Sequence, residues 1–409
     1  MNAPPRPHPF ARSKAAELAG RAVEALWDKG LTEKPPLEPE FLWQVGAKGF
    51  TAEDECSIRS AEEVADFRDR LARLCRALNE EADLNPLGHT MAYGQLTAAI
   101  RKRHALGRFW RDAPELAGAE IAPPIIVVGQ MRSGTTRIHR LLAADPRHAG
   151  TRFCNSHDPV PRTPDLRPLK SAIGLAIGRR INPWLDMLHP FGATRVDEEI
   201  GWLSGSLDAC AFEAQWRIPS FVAFNEASDA RAVYAEFARI LRTDAAVMGD
   251  AAKPRVLKCP QFAENLPALI ERFPEARMVV AKRCHDEVLE SSVSMVASQM
   301  AFQSDHADLD ALVGEWRRKL ALREARMDAA LAGHSGPLAG VDFAALGEDW
   351  EAEIARVYSA IGIPLSDEAL AAMRGEQARA AKDKHHGHRR QFDGFRNEGG
   401  RTGKPVTAG

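Results

Sequence analysis

Apolar positions along the 409-residue chain follow two different rhythms. Up to residue 119 they recur at three- and four-residue steps, which gathers them on one side of a helix. Leu18, Val23, Leu26 and Trp27 define such a helix over 13–29. Val64, Phe67, Leu71, Leu74 and Leu78 define a longer one behind Ser60, which forms a capping box with Glu63 three residues on. A third is expected over 91–105. After residue 120 the rhythm changes. Pro123 and Pro124 lead into Ile125-Ile126-Val127-Val128, an unbroken β-branched run suited to a strand buried on both faces. Short runs at Arg255–Lys258, Arg277–Lys282 and 337–343 predict further strands, with helices at 229–247, 263–273 and 286–300. More helices are expected over 308–331, 348–361 and 367–379. This alternation predicts an α/β fold of three layers, with a mainly parallel central sheet. The expected organisation is an N-terminal helical region over 1–119 packed on an α/β domain over 120–395, and a loose tail over 396–409.

Charge and composition narrow the functions open to such a fold. With 54 Lys+Arg against 56 Asp+Glu, the net charge of −2 argues against a general nucleic-acid binder. The six cysteines, at 56, 75, 154, 210, 259 and 284, show no CxxC pair and no metal-ligand spacing. They read as reduced, mostly buried thiols. The longest apolar-leaning stretch, 171–178, is far short of the roughly 18 residues a bilayer crossing needs. The first twenty residues lack the apolar segment of a signal peptide. A soluble, cytoplasmic protein without a membrane span is therefore expected.

The chemistry concentrates where the first strand ends. Gly129-Gln-Met-Arg132-Ser133-Gly134-Thr135-Thr136 has the glycine spacing of a phosphate-binding loop, with Thr135 in place of the usual Lys. Glycines let successive N–H groups converge on an oxyanion at the positive end of the following helix. Thr135 and Thr136 add hydroxyl donors, and Arg132 supplies a cation from within the loop. With no loop Lys and no clear acidic strand end for Mg²⁺, an anionic ligand other than Mg-ATP is indicated. The fold implied is P-loop-like.

Residues 124–136 resemble the 5′-phosphosulfate loop of sulfotransferases that use 3′-phosphoadenosine 5′-phosphosulfate (PAPS), above all the bacterial branch with Arg-Ser-Gly-Thr-Thr. A second motif lies about 150 residues on. Arg277-Met-Val-Val-Ala-Lys-Arg283, followed by Ser291 eight residues later, resembles that family's 3′-phosphate element. Arg255-Val-Leu-Lys258-Cys-Pro260 is similar to its Leu-Lys-x-Pro strand end. Asp197-Glu198-Glu199 with Phe212-Glu213 resembles its acidic central helix. The resemblance implies PAPS as co-substrate, no metal requirement, and a small-molecule or carbohydrate hydroxyl or amine as acceptor. It assigns Arg132, Ser133, Gly134, Thr135, Thr136, Arg283 and Ser291 to donor binding. Arg132 and Lys258 are the cations that stabilise the transferring group.

The chain also departs from the pattern. Asn155 stands where the branch carries a Glu as proton acceptor, and Asn cannot take a proton at neutral pH. Phe262 replaces a His, and Cys284-His285 replaces an Asp-Pro. His157 is the nearest substitute base, with Glu198 second and Asp158 as an orienting group for His157. Lys384, His388 and Arg389 fall in a late basic segment that the resemblance places near the 3′-phosphate. Trp184, Trp202, Phe212, Trp216 and Phe221 offer core or the wall of an apolar cleft. Two other readings remain open at this level: a nucleotide-dependent kinase with a degenerate loop, and a nucleotide-binding regulatory protein without turnover.

Overall fold

In the computed structural model, residues 6–306 and 308–381 are described; Lys384, His388 and Arg389 lie outside them. Five parallel strands form one sheet: β1 (Ile125–Val128), β2 (Ala149–Gly150), β3 (Arg255–Lys258), β4 (Arg277–Lys282) and β5 (Leu338–Asp342). Their spatial order is β2-β3-β1-β4-β5. The order reverses at β1, which pairs with β3 on one side and β4 on the other. Such a switch point leaves a crevice at the carboxyl ends of the strands, where ligands of open α/β sheets bind.

β1 is apolar at every position because it is covered on both faces. Ile126 and Val128 join a cluster with Leu257, Met278, Trp110, Trp202 and Phe237. Ile125 and Val127 face the opposite way, against Ile138, Leu141, Val279 and Tyr358. The N-terminal helices complete the first of these layers. The long helix Pro86–Asp112 delivers Trp110, whose indole N–H donates to Thr243 Oγ1 at 2.8 Å on the helix Arg231–Met248. The helix Ala61–Glu80 starts at Ser60 with both capping-box hydrogen bonds in place.

Differences from the sequence reading have local causes. β2 has two residues, too few to leave a pattern. The helix expected over 263–273 begins as a 3₁₀ turn, Pro260–Ala263, and continues as Leu266–Arg272. Asp197, Glu198 and Glu199, expected within a helix, precede one instead: Glu199 caps the helix Ile200–Gly205. Glu213 belongs to a buried ionic network rather than to a site. Lys319 bridges Glu213 at 2.9 Å and Glu264 at 2.8 Å, while Arg323 donates to both carboxylates. The network fixes the turn that follows β3, since Glu213 also accepts from Gln261.

Removing one cation from such a network strands a buried charge. Arg323→Met is expected to cost about 3–5 kcal/mol, read as a lower urea midpoint at unchanged slope.

Candidate active site

Three segments meet at the carboxyl edge of β3, β1 and β4. The loop after β1 turns through two left-handed residues, Arg132 at φ 66° and Gly134 at φ 94°. A side chain on Gly134 is excluded on two counts: the positive φ, and the Phe343 ring, which lies 2.2 Å from where a Cβ would stand. Arg132 has no such licence. A non-glycine residue held there is strained, a condition that clusters at ligand sites. Ser133 closes the turn, donating through Oγ and N–H to the Gln130 carbonyl. Thr135 and Thr136 then open the helix Thr135–Ala144, whose first amides form a positive end.

Arg132 donates from Nε to Ser291 Oγ at 2.9 Å and from Nη1 to the Leu188 carbonyl at 2.6 Å. Arg283, just past β4, donates from Nη1 to the Arg132 carbonyl at 2.8 Å and lies over the Phe343 ring. Its other face pairs with Glu287 at 2.8 Å. Burial, then the like charge of Arg283, push the Arg132 guanidinium down to about 10, with Glu198 opposing. Two arginines joined through the Arg132 carbonyl, whose charges oppose each other beside a helix N-terminus, form a setting that an anion relieves.

On the other side of the loop, Lys258 ends β3 almost wholly buried. Its ammonium contacts Glu198 Oε2 at 2.7 Å and donates to Thr136 Oγ1 at 3.2 Å. Its backbone N–H donates to Glu199 Oε2 at 2.8 Å. Burial pushes the Glu199 carboxyl up to about 8 despite that hydrogen bond. Asp197 accepts from the Glu198 N–H at 2.9 Å and pairs with His189 at 3.0 Å. Among the described residues, His189, Asp197 and Glu198 are the group that could hold a metal, with ligand atoms within 4.8 Å of one another. Lys258 against Glu198, and Arg140 at 3.9 Å from Asp197, already balance those charges and would repel a cation. The group reads as an ionic network that anchors the acidic turn.

The residues considered for proton transfer part company. His157 is exposed at the wall of a cavity of about 310 Å³ and packs against Phe153. Displaced water and the charge of Lys102 bring its pKa down to about 4, against the pull of Asp197 and Glu198. Asp158, the expected orienting group, turns instead to Arg162 at 2.7 Å. Asn155 is buried, donating to Asp244 and accepting from Arg152. Phe262 is fully buried against Phe237 and Tyr234. Cys284 caps the helix His285–Ala301 from the surface. Of the five aromatics, Phe212 touches the cavity, while Trp184, Trp202, Trp216 and Phe221 are core.

A family model described as the sulfotransferase family matches residues 123–367, well over half of the chain. The chain belongs to the sulfotransferase family. Among solved structures, this sulfotransferase is similar to sulfotransferase STF1 from Mycobacterium tuberculosis H37Rv, at 26% identity and a TM-score of 0.73 over 88% of this chain and 100% of that one. It shares the fold of sulfotransferase STF9 from Mycobacterium avium, with a TM-score of 0.74 at 17% identity over 90% and 98% of the two chains. No curated protein shows significant similarity to it. No helix among the described residues is long and apolar enough to cross a membrane.

Sequence patterns missed two residues of this sulfotransferase's crevice. His189 follows a four-residue helix and gives no periodic signal. Lys102 ends a stripe of small residues on the long helix, a clue visible only once the facing helix is known. The Glu199 carboxyl yields a sharp expectation. Its folded pKa stands above the unfolded value near 4.5, so the neutral form favours the fold. That stabilisation is full below about pH 4.5 and is lost as pH rises toward 8. Glu199→Gln should flatten this decline, raising stability at pH 8 by on the order of 3 kcal/mol in thermal unfolding.

Proposed function

We propose that this sulfotransferase moves a sulfuryl group from PAPS to a hydroxyl or amine of a small acceptor. One observation carries the reading: beside the N-terminus of the helix Thr135–Ala144, the loop arginine hydrogen-bonds Ser291 and the arginine after β4 hydrogen-bonds the loop arginine's carbonyl. A ligand with anions at both ends of a nucleoside matches that division. The 5′-phosphosulfate belongs on the loop amides and Thr136, and the 3′-phosphate on Arg283 and Ser291.

In the transfer, the bond from sulfur to the 5′-phosphate oxygen breaks as the acceptor oxygen or nitrogen bonds to sulfur from the opposite side. Charge grows on the leaving phosphate and remains on the equatorial sulfuryl oxygens. Arg132, Lys258 and the first amides of the helix Thr135–Ala144 stand ready to stabilise it. Lys258 must exchange part of its contact with Glu198 for the sulfuryl oxygens, and Thr136 bridges the two. The acceptor's proton passes to an imidazole nitrogen of His157. Ser156, beside it, donates to the Glu198 carbonyl at 2.7 Å, which ties the base to the Lys258 pair.

Calorimetric titration with 3′-phosphoadenosine 5′-phosphate tests the donor site, with Mg-ATP and AMP as controls. Binding is expected without metal, weakened about 10- to 100-fold by Arg283→Ala or Arg132→Ala. A preference for Mg-ATP would favour the kinase reading, and the absence of binding would end the PAPS reading.

The role of His157 has its own signature. kcat/KM should stay level through neutral pH and fall on the acid side around pH 4, where the ring gains a proton. His157→Gln should lower kcat by about 10²–10⁴-fold and leave product-nucleotide affinity unchanged. An unaltered kcat in that variant would remove His157 from the chemistry.

A further inference from the structure

The acceptor side of the molecule carries more information than a general hydroxyl or amine. The cavity beside His157 lies between two helices, Pro86–Asp112 and Ile200–Gly205. One stripe of the long helix forms its first wall, with Met91, Gly94, Ala98 and Lys102 at three- and four-residue steps. Gly201 and Gly205 form the second wall, and Phe212 flanks it.

These glycines are not all there for the same reason. Gly201 is demanded by packing: a Cβ would stand 2.2 Å from the Ser156 carbonyl oxygen, so the short helix sits directly on the backbone leading to His157. Gly94 and Gly205 are demanded by nothing in the fold. A Cβ on either would meet no atom within 4 Å, and neither has a left-handed φ. Glycine inside a helix costs about 1 kcal/mol relative to Ala, so Gly94 carries a cost without a packing return. What the two residues do provide is cavity lining without a side chain.

The slot has one formal charge on its lining, the Lys102 ammonium. It donates to the His157 carbonyl at 2.6 Å, which leaves it further N–H groups. Burial pushes its pKa down, with Asp158 opposing and Arg162 adding to the shift. An enclosed cation of this kind is stabilised by an anion brought to it. With a volume of about 310 Å³, the slot has room for a compact ring system and not for an extended oligosaccharide.

We propose that the slot binds the acceptor as a flat, largely apolar ring system bearing both the hydroxyl to be sulfated and a carboxylate or equivalent anion. The rings lie between the Gly94–Ala98 stripe and Gly205 with Phe212, the anion meets Lys102, and the hydroxyl faces His157. An anion on Lys102 also offsets the positive charge that opposes protonation of His157, adding to the pull of Asp197 and Glu198. This assignment of substrate class rests on the sulfuryl-transfer reading.

The test is a fluorescence titration of the full-length protein with 6-hydroxy-2-naphthoic acid and with 2-naphthol, with and without 3′-phosphoadenosine 5′-phosphate. The same preparations of wild type, Lys102→Met, Gly94→Leu and Gly205→Leu are titrated with the nucleotide by calorimetry. The acid is expected to bind wild type at least about tenfold more tightly than the naphthol, a difference of about 1.4 kcal/mol. Lys102→Met should erase that preference. Either leucine, a better helix former than the glycine it replaces, should abolish binding of both probes and leave nucleotide affinity unchanged. Equal binding of the two probes, no binding of the acid to wild type, or indifference to the leucines would overturn the slot. Failure of nucleotide binding with the probe pattern intact would instead remove the donor reading and leave the slot standing.

Discussion

The arrangement of this crevice follows from a single costly placement, the Lys258 ammonium at the buried end of β3. An ion of that size cannot stay charged away from water without a partner. Glu198 supplies the charge and Thr136 the extra acceptor, which draws the acidic turn against the phosphate loop. Glu199, next in the chain, is then carried so deep that it uses its carboxyl on the strand's own N–H and caps the next helix. That helix is one wall of the cavity. The loop, the lysine and the cavity are therefore parts of one construction, and a shift of Lys258 would be felt in all three.

The layered architecture was legible because burial on both faces leaves a plain mark. Ile125–Val128, Arg255–Lys258 and Arg277–Lys282 coincide with observed strands, and the Ser60 capping box is present with both bonds. The resemblance put Arg283 at a strand end and Ser291 in the helix that follows; the hydrogen bonds that join both to Arg132 were not foreseen. What the sequence concealed depends on contacts between distant segments. The resemblance put Asp197–Glu199 in a helix, yet the pull of Lys258 and the seat of Gly201 on Ser156 delay the helix to Ile200. His189 and Lys102 acquire meaning from Asp197 and His157, which lie 8 and 55 residues away.

Two of the positions that depart from the sulfotransferase pattern, Asn155 and Phe262, have been taken into the core, while Cys284 stays at the surface. Asn155 is held by Asp244 and Arg152 in a buried polar pair that a carboxylate would upset, since Asp244 is itself an acid bound to Arg255. Phe262 fills an aromatic cluster with Phe237 and Tyr234. A histidine there would need a polar partner that the cluster does not offer. Each of these two replacements suits its surroundings.

Phe343, at the end of the sheet's edge strand, touches both anion-directed elements at once. One side of its ring forbids any side chain at Gly134, and the face of the same ring supports Arg283 at 4.5 Å. The spacing between the loop and the second arginine is thus gauged by one aromatic ring, a residue with no polar atom in its side chain. Under the PAPS reading proposed above, the same ring would set the distance between the two anion sites of the ligand.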